Sequence, residues 1–187
     1  MTHTKGSKRS TVPRRPYESE RLISEGKLLG VYGLRNKREL YTFAKIANDL
    51  KKKASSILIT NNETKFTVEG RALLNKLQVL GIVNDEIKFD VKEDIIANLE
   101  NVLNLTTEDF LKRRLQYRVF ELGLANSVHQ ARAYIKNKYI EINDNVVDKP
   151  SYLVRRENDG YIQLSDKYNK MISKSKKNEV EVVEEEN

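Results

Sequence analysis

Leu111 to Pro150 reads LKRRLQYRVFELGLANSVHQARAYIKNKYIEINDNVVDKP, and this stretch decides the fold. Leu111, Leu115, Val119 and Leu122 recur at spacings of three and four, which predicts a helix with one apolar stripe turned to a core. Lys112, Arg113, Arg114, Tyr117 and Arg118 then fall elsewhere around it, with Arg114 and Arg118 one turn apart, so a cationic outer ridge is expected. Gly123 is placed to stop this helix. Ser127 is placed to cap a second, short one, its hydroxyl accepting from the first free backbone amides. In that second helix Val128, Ala131 and Ile135 mark the buried side, Gln130 is polar, and Arg132 and Lys136 repeat the one-turn basic spacing. Ile140, Ile142, Val146 and Val147 flank Asn143-Asp144-Asn145, residue types that tolerate left-handed backbone. Two strands joined by a tight turn follow.

Working outward, Thr106-Thr107-Glu108-Asp109 supplies an N-cap and acids that match the dipole of the following helix. Residues 82 to 105 mix apolar Ile82, Val83, Ile87, Phe89 and Val91 with polar positions and read as a join. Upstream, Leu40, Phe43, Ala47 and Leu50 support a helix from about Asn36 to Leu58, with Lys37, Arg38, Lys45, Lys51, Lys52 and Lys53 off its core side. Leu73, Leu74, Leu77 and Leu80 support another, ended by Gly81, and the two are expected to pack as a hairpin. Gly70 disfavours helix near the start of the second, so either the helix begins later or another backbone element approaches closely there. The chain divides into a basic extension (1–35), a helical region (36–105), the module (106–165) and a charged tail (166–187). Lys5, Lys8, Arg9, Arg14 and Arg15 precede the first acid, Glu18, and Pro13 and Pro16 restrict the backbone. The extension could lie along phosphates, or it could be a solvated tail or nuclear-import patch. The tail ends in Glu179, Glu181, Glu184, Glu185 and Glu186.

Composition points the same way. The 187 residues hold 34 Lys and Arg against 27 Asp and Glu, a net charge of +7, and the C-terminal acids make the body more basic than this total. A polyanionic partner is favoured. No cysteine is present, which excludes disulfides, thiolate catalysis and cysteine-ligated zinc. No apolar run approaches the roughly 18 residues of a membrane span, and no apolar stretch follows the basic N-terminus as in a secretory signal. Of the two histidines, His3 lies in the extension, and His129 sits in the second module helix, where a surface hydrogen bond is the expected role. No glycine-rich phosphate loop and no set of carboxylates or histidines at metal-ligand spacing is present. Neither catalysis, a metal nor a cofactor is expected. Tyr117, Tyr134 and Tyr139 lie among the module cations and are read as packing with their hydroxyls at the edge rather than stacking on bases.

The string Phe110 to Val154, above all LGLANSVHQARAYIKNKYIEIN, resembles the S-four RNA-binding module, a helix pair packed on a small sheet. That module also occurs in tRNA ligases, pseudouridine synthases and stress proteins. PRRPYESERL (Pro13 to Leu22), EGKLLGVYGLRNKREL (Glu25 to Leu40) and NLTTEDFLKRRLQ (Asn104 to Gln116) extend the likeness over nearly the whole chain. Together they resemble the eukaryotic small-subunit ribosomal proteins equivalent to bacterial S-four. One departure lies after Glu39, where the helix Leu40 to Leu50 is shorter than the family pattern. The nucleolar paralogue that pairs a snoRNA to pre-rRNA shares the module and a similar length, but TVPRRPYESERL and YGLRNKREL argue against it.

The resemblance implies an α+β, mostly helical rRNA-binding protein of the small ribosomal subunit, cytoplasmic after assembly in the nucleolus. Its implied partners are the 5′ region of small-subunit rRNA, the neighbouring fifth-type protein, and mRNA near its entrance path, where the family affects translational accuracy. No membrane partner is implied. RNA contacts are expected at Arg14 and Arg15 of the extension and at Arg35, Lys37 and Arg38 before the first long helix. In the module they are expected at Lys112, Arg113, Arg114 and Arg118, and at Ser127, Gln130, Arg132, Lys136 and Lys138. Proteins grip A-form RNA by its phosphates, 2′-hydroxyls and shape, and these residue types suit that task.

Overall fold

The structure is a computed structural model that describes residues 10–83 and 92–171. Asparagines begin its two longest helices. Asn36 accepts from the Glu39 N–H at the start of α2 (Lys37–Leu58), and Asn62 accepts from the Lys65 N–H at the start of α3 (Glu63–Val79). Before them α1 (Ser19–Val31) lies in the stretch that the sequence leaves as an extension; partly buried Leu28 and Leu29 pack it on the core. The helix after Glu39 is not confined to Leu40–Leu50. Ala54 and Ile57 keep the three-and-four spacing of Leu40, Phe43, Ala47 and Leu50, all six are buried, and the helix continues to Leu58.

α4 (Lys92–Leu103) packs on both α2 and α3, in a region the sequence leaves as a mixed join. Gly70 explains the fit. The helix begins well before it, and what approaches closely is a side chain and not backbone: a Cβ added there would stand 2.9 Å from Ile95 Cγ2 of α4. Gly81 (φ +67°) ends α3 and Gly123 (φ +73°) follows the last turn of α6, as their positions foretell.

The main departure is at the head of the module. Instead of one helix through Leu111 to Leu122, there are two, α5 (Thr107–Lys112) and α6 (Leu115–Glu121). The Asp109 carboxylate accepts from both the backbone N–H and the hydroxyl of Thr106 and so fixes the start of α5. At Arg113 and Arg114 the backbone leaves the helix to pair with a distant segment. Val154 N–H donates to Arg113 O at 2.9 Å, Leu115 N–H donates to Tyr152 O at 2.8 Å, and Arg114 forms a β-bridge with Leu153. Periodicity could not show this, because the apolar spacing runs unbroken across the interruption. The stripe in fact divides: Leu111 belongs to the helical core, Leu115 and Val119 to the module core, and Leu122 is exposed.

Ser127 caps α7 (Val128–Lys136) as expected, accepting from the Gln130 N–H. β1 (Ile140–Ile142) and β2 (Asn145–Val146) pair antiparallel, with Ile142 opposite Asn145. The two linking residues, Asn143 (φ 48°) and Asp144 (φ 62°), are both left-handed, as a two-residue type I′ hairpin turn requires. A third strand, β3 (Ile162–Leu164), follows a 3-10 turn (Arg156–Tyr161) and pairs antiparallel on the other side, giving the order β2-β1-β3. It is too short to announce itself by alternation, and the sequence names only two strands.

Two cores result. Buried residues Tyr32, Leu34, Leu40, Phe43 and others of α2 to α5 as far as Leu111 form the helical one, and Leu115, Val119, Ala125, Ala131, Ile135, Ile140, Ile142, Val154 and Ile162 form the module. The chain is therefore mostly helical with one small antiparallel sheet, an α+β protein. His3, Lys5, Lys8, Arg9, Ile87, Phe89, Val91 and the C-terminal glutamates lie outside the described residues. Among the described residues no helix is long and apolar enough to cross a membrane.

Candidate nucleic-acid interface

The residues between the two cores form a polar clasp. Glu39, at the start of α2, receives hydrogen bonds from two arginines of the module: Arg114 Nη2 donates to Oε2 at 2.8 Å, and Arg132 Nη2 donates to Oε1 at 2.6 Å. Arg132 Nη1 also donates to Gln116 Oε1 at 3.1 Å. The buried Gln116 amide donates in turn to Gly33 O at 2.8 Å and Val128 O at 3.0 Å. Gly33 has to be glycine here. Its φ is +58°, and an added Cβ would stand 2.5 Å from Gln116 Nε2 and 2.7 Å from Val128 Cγ1. The string YGLRNKREL thus reads largely as joinery. Tyr32 packs on Tyr117 with ring centroids 5.0 Å apart, Leu34 and Leu40 are buried, Asn36 caps α2, and Glu39 clasps the module.

The electrostatics follow from this geometry. Burial alone would push the Glu39 carboxyl up, but the hydrogen bonds from Arg132 and Arg114 outweigh it and hold the group below its ordinary 4.5. Burial pulls the Arg114 guanidinium down, and Glu39 opposes that pull. Burial, followed by the Glu108 carboxylate, pushes the Tyr32 hydroxyl up to about 12.

A second carboxylate repeats the pattern inside the module. Asp159 accepts from Arg113 Nη1 at 2.8 Å and from Arg118 Nε at 3.2 Å, while Arg118 also meets Glu121. Four arginines expected on the surface are therefore held by two carboxylates. Arg114 departs most from the expected ridge: it is the N-cap of α6, 1% exposed, with its guanidinium carbon 5.2 Å from the Phe43 ring centroid. It belongs to the join and presents no surface. Arg113, Arg118 and Arg132 keep narrow exposed edges, their side chains 11%, 19% and 20% accessible.

The remaining expected contacts are placed differently. Arg14, Arg15, Arg35, Arg38, Lys112, Lys136 and Lys138 are exposed. Lys37 is half-buried with its ammonium 3.1 Å from Glu25. Ser127 is exposed but spends its hydroxyl on the cap. Gln130 accepts from Asn126 N–H and donates to the Tyr134 hydroxyl, each at 2.8 Å, so it braces the start of α7. Lys138 carries a feature that residue patterns do not reveal: it follows α7 with φ 62°, a left-handed position usually given to glycine, and presents an exposed ammonium there.

What the sequence missed are Glu39, Asp159, Gln116 and Gly33, the partners that hold the arginines. An acid inside the basic run NKREL was the available signal. Carboxylates beside cations were instead read as solvated helix faces, which is their usual role.

Exposed Arg35 immediately precedes the Asn36 cap and exposed Arg38 lies in the first turn of α2 beside Glu39, while exposed Lys136 lies one turn beyond Arg132 on α7. Among the described residues these three cations form no ion pair with a carboxylate, and the frame that carries them is tied at the seam by Glu39. Such a surface suits a polyanion held by its phosphates. Residues 113–159 match the family model of the S4 domain, which covers the helix pair, the clasp arginines, the β1–β2 hairpin and Asp159, so this part of the chain is an S4 RNA-binding domain.

Proposed function

We propose that this protein is a structural constituent of the small ribosomal subunit that binds the 5′ region of small-subunit rRNA. The observation that carries the reading is the S4 domain at residues 113–159, joined through Glu39 to a helical body that adds its own exposed cations, Arg35 and Arg38. The resemblance of PRRPYESERL and YGLRNKREL to the eukaryotic small-subunit proteins narrows an RNA-binding module to a ribosomal one. On this reading Arg35, Arg38, Lys112, Lys136 and Lys138 meet phosphates directly. Arg113, Arg118 and Arg132 contribute through their exposed edges, and Arg14 and Arg15 extend the grip. The protein acts without catalysis or cofactor. It supports assembly in the nucleolus and, in the cytoplasm, accuracy near the mRNA entrance path beside the fifth-type protein.

Sedimentation of tagged protein from cells, with and without ribonuclease, tests this. Comigration with mature small subunits that is lost after nuclease treatment is expected. Confinement to large nuclear precursors would replace the reading with the snoRNA-pairing paralogue, and a light, nuclease-insensitive peak would remove RNA from it altogether.

A further inference from the structure

Beyond the end of α7, three tyrosines form a cluster that the clasp and the phosphate-facing cations do not use. Tyr134 and Tyr168 face each other with ring centroids 5.1 Å apart and hydroxyls 3.2 Å apart. Tyr139 completes the group at 6.0 Å from Tyr134 and 5.5 Å from Tyr168. The first two have evident packing roles, since Tyr134 lies against the module core and Tyr168 packs on the Tyr134 ring. Tyr139 differs. With Lys167, Lys170 and Met171 it lines an open cleft of about 460 Å³, and its hydroxyl donates to Met171 Sδ at 3.2 Å. That volume lies within the roughly 300–1,000 Å³ range of small-ligand sites.

The chemistry of the cleft is specific. Lys167 Nζ lies over the Tyr139 ring, 5.3 Å from its centroid, and donates to the Asn137 carbonyl at 3.0 Å; a base that stacks on this face takes the place of the ammonium, which swings on its flexible stem to the phosphate. Exposed Lys136 and Lys138 sit on the adjoining helix end, and Asp166 is the acid next to Lys167. A flat aromatic ring with ammonium groups around it matches a nucleobase and its phosphates: the base stacks on the ring while the lysines take the backbone. Bases inside an A-form duplex cannot reach such a ring, whereas those of a loop or single strand can.

We propose that the Tyr139–Lys167 cleft is a second RNA site, which holds one unpaired nucleotide by stacking on Tyr139 and pairing its phosphate with Lys167. This inference rests on the RNA-binding reading of the S4 domain and adds to it a place where a flexible strand, and not a duplex, is held. It departs from the sequence reading, in which Tyr139 only packs.

The test uses the full chain, a labelled oligouridylate and a labelled RNA duplex of equal length, with affinity measured across a salt series. Tyr139→Ala should weaken single-strand binding roughly tenfold or more, with duplex affinity unchanged. Tyr139→Phe, which keeps the ring, should bind as the parent does. Lys167→Ala removes an exposed ammonium and leaves the core intact; it should weaken single-strand binding and lower its salt slope by roughly one. If Tyr139→Ala proves poorly folded by its melting temperature, the lysine variant decides. Equal losses on both RNAs, or no loss on the single strand from either variant, would overturn the cleft. A parent that binds duplex alone would overturn it while leaving the RNA-binding reading standing, and a parent that binds neither RNA would end both.

Discussion

Arg114 Nη2 donates to Glu39 Oε2 at 2.8 Å across 75 residues of sequence, and the guanidinium is 1% exposed. A buried cation held by one carboxylate makes that carboxylate hard to replace. Breaking such a pair from one side costs about 3–5 kcal/mol, because the remaining charge stays buried without its partner. Among the described residues Nε and Nη1 of Arg114 have no hydrogen-bond partner, which adds to its dependence on Glu39.

Glu39→Gln should therefore destabilise the protein by about 3 kcal/mol, the low end of that range, since the Glu39 side chain is 22% exposed and water can partly compensate. Chemical denaturation of parent and variant measures this. A change below about 0.5 kcal/mol, the level of an ordinary surface substitution, would mean that the clasp does not fasten the two cores.

The same pair sets a pH dependence. Glu39 titrates lower in the folded protein than its ordinary 4.5, so its stabilising contribution is fully present above that value and is lost as pH falls through the lower folded value. The stability difference between the parent and Glu39→Gln should be constant from neutral pH down to about pH 5 and should shrink below that. A difference that grows on acidification would reverse the sign of the argument.

Gly33→Ala places a methyl group 2.5 Å from Gln116 Nε2 at a backbone φ of +58°, which combines steric conflict with left-handed strain. The expected loss is about 2–3 kcal/mol. Gly26→Ala on α1, where an added Cβ meets nothing within 4 Å, is the matched control and should be neutral or slightly stabilising. Thermal melts of the two variants give the comparison.

Lys138→Gly should move stability and affinity in opposite directions. Glycine relieves the left-handed φ of 62°, a gain of about 0.5–1 kcal/mol that corresponds to a melting rise of roughly 1–4 °C for a chain of this size. Loss of the exposed ammonium should at the same time weaken RNA binding and lower its salt slope by roughly one. A variant that melts lower and binds RNA unchanged would assign Lys138 neither role.

The parts of this fold that were legible in the sequence are those governed by local chemistry. The caps at Thr106 and Ser127, the stops at Gly81 and Gly123, and the left-handed turn at Asn143 and Asp144 all follow from the preferences of single residues, and the structure shows each in place. The break at Arg113 and Arg114 was not legible, because it is made by backbone pairing with Tyr152, Leu153 and Val154, some forty residues away. The site shows the same division. Positions of the cations could be read from the sequence, but which of them are exposed depends on Glu39 and Asp159, whose role only the tertiary arrangement creates.

The most direct measurement is the salt dependence of binding to a 5′-domain fragment of small-subunit rRNA, for the parent and for a variant with Arg35, Arg38, Lys112, Lys136 and Lys138 all replaced by alanine. These side chains are exposed, so the fold should survive. The parent should show a log–log slope of roughly −4 or steeper, and the variant should lose most of that slope together with several decades of affinity at low salt. A parent slope near zero, or a folded variant that binds as the parent does, would contradict the claim that these cations hold RNA.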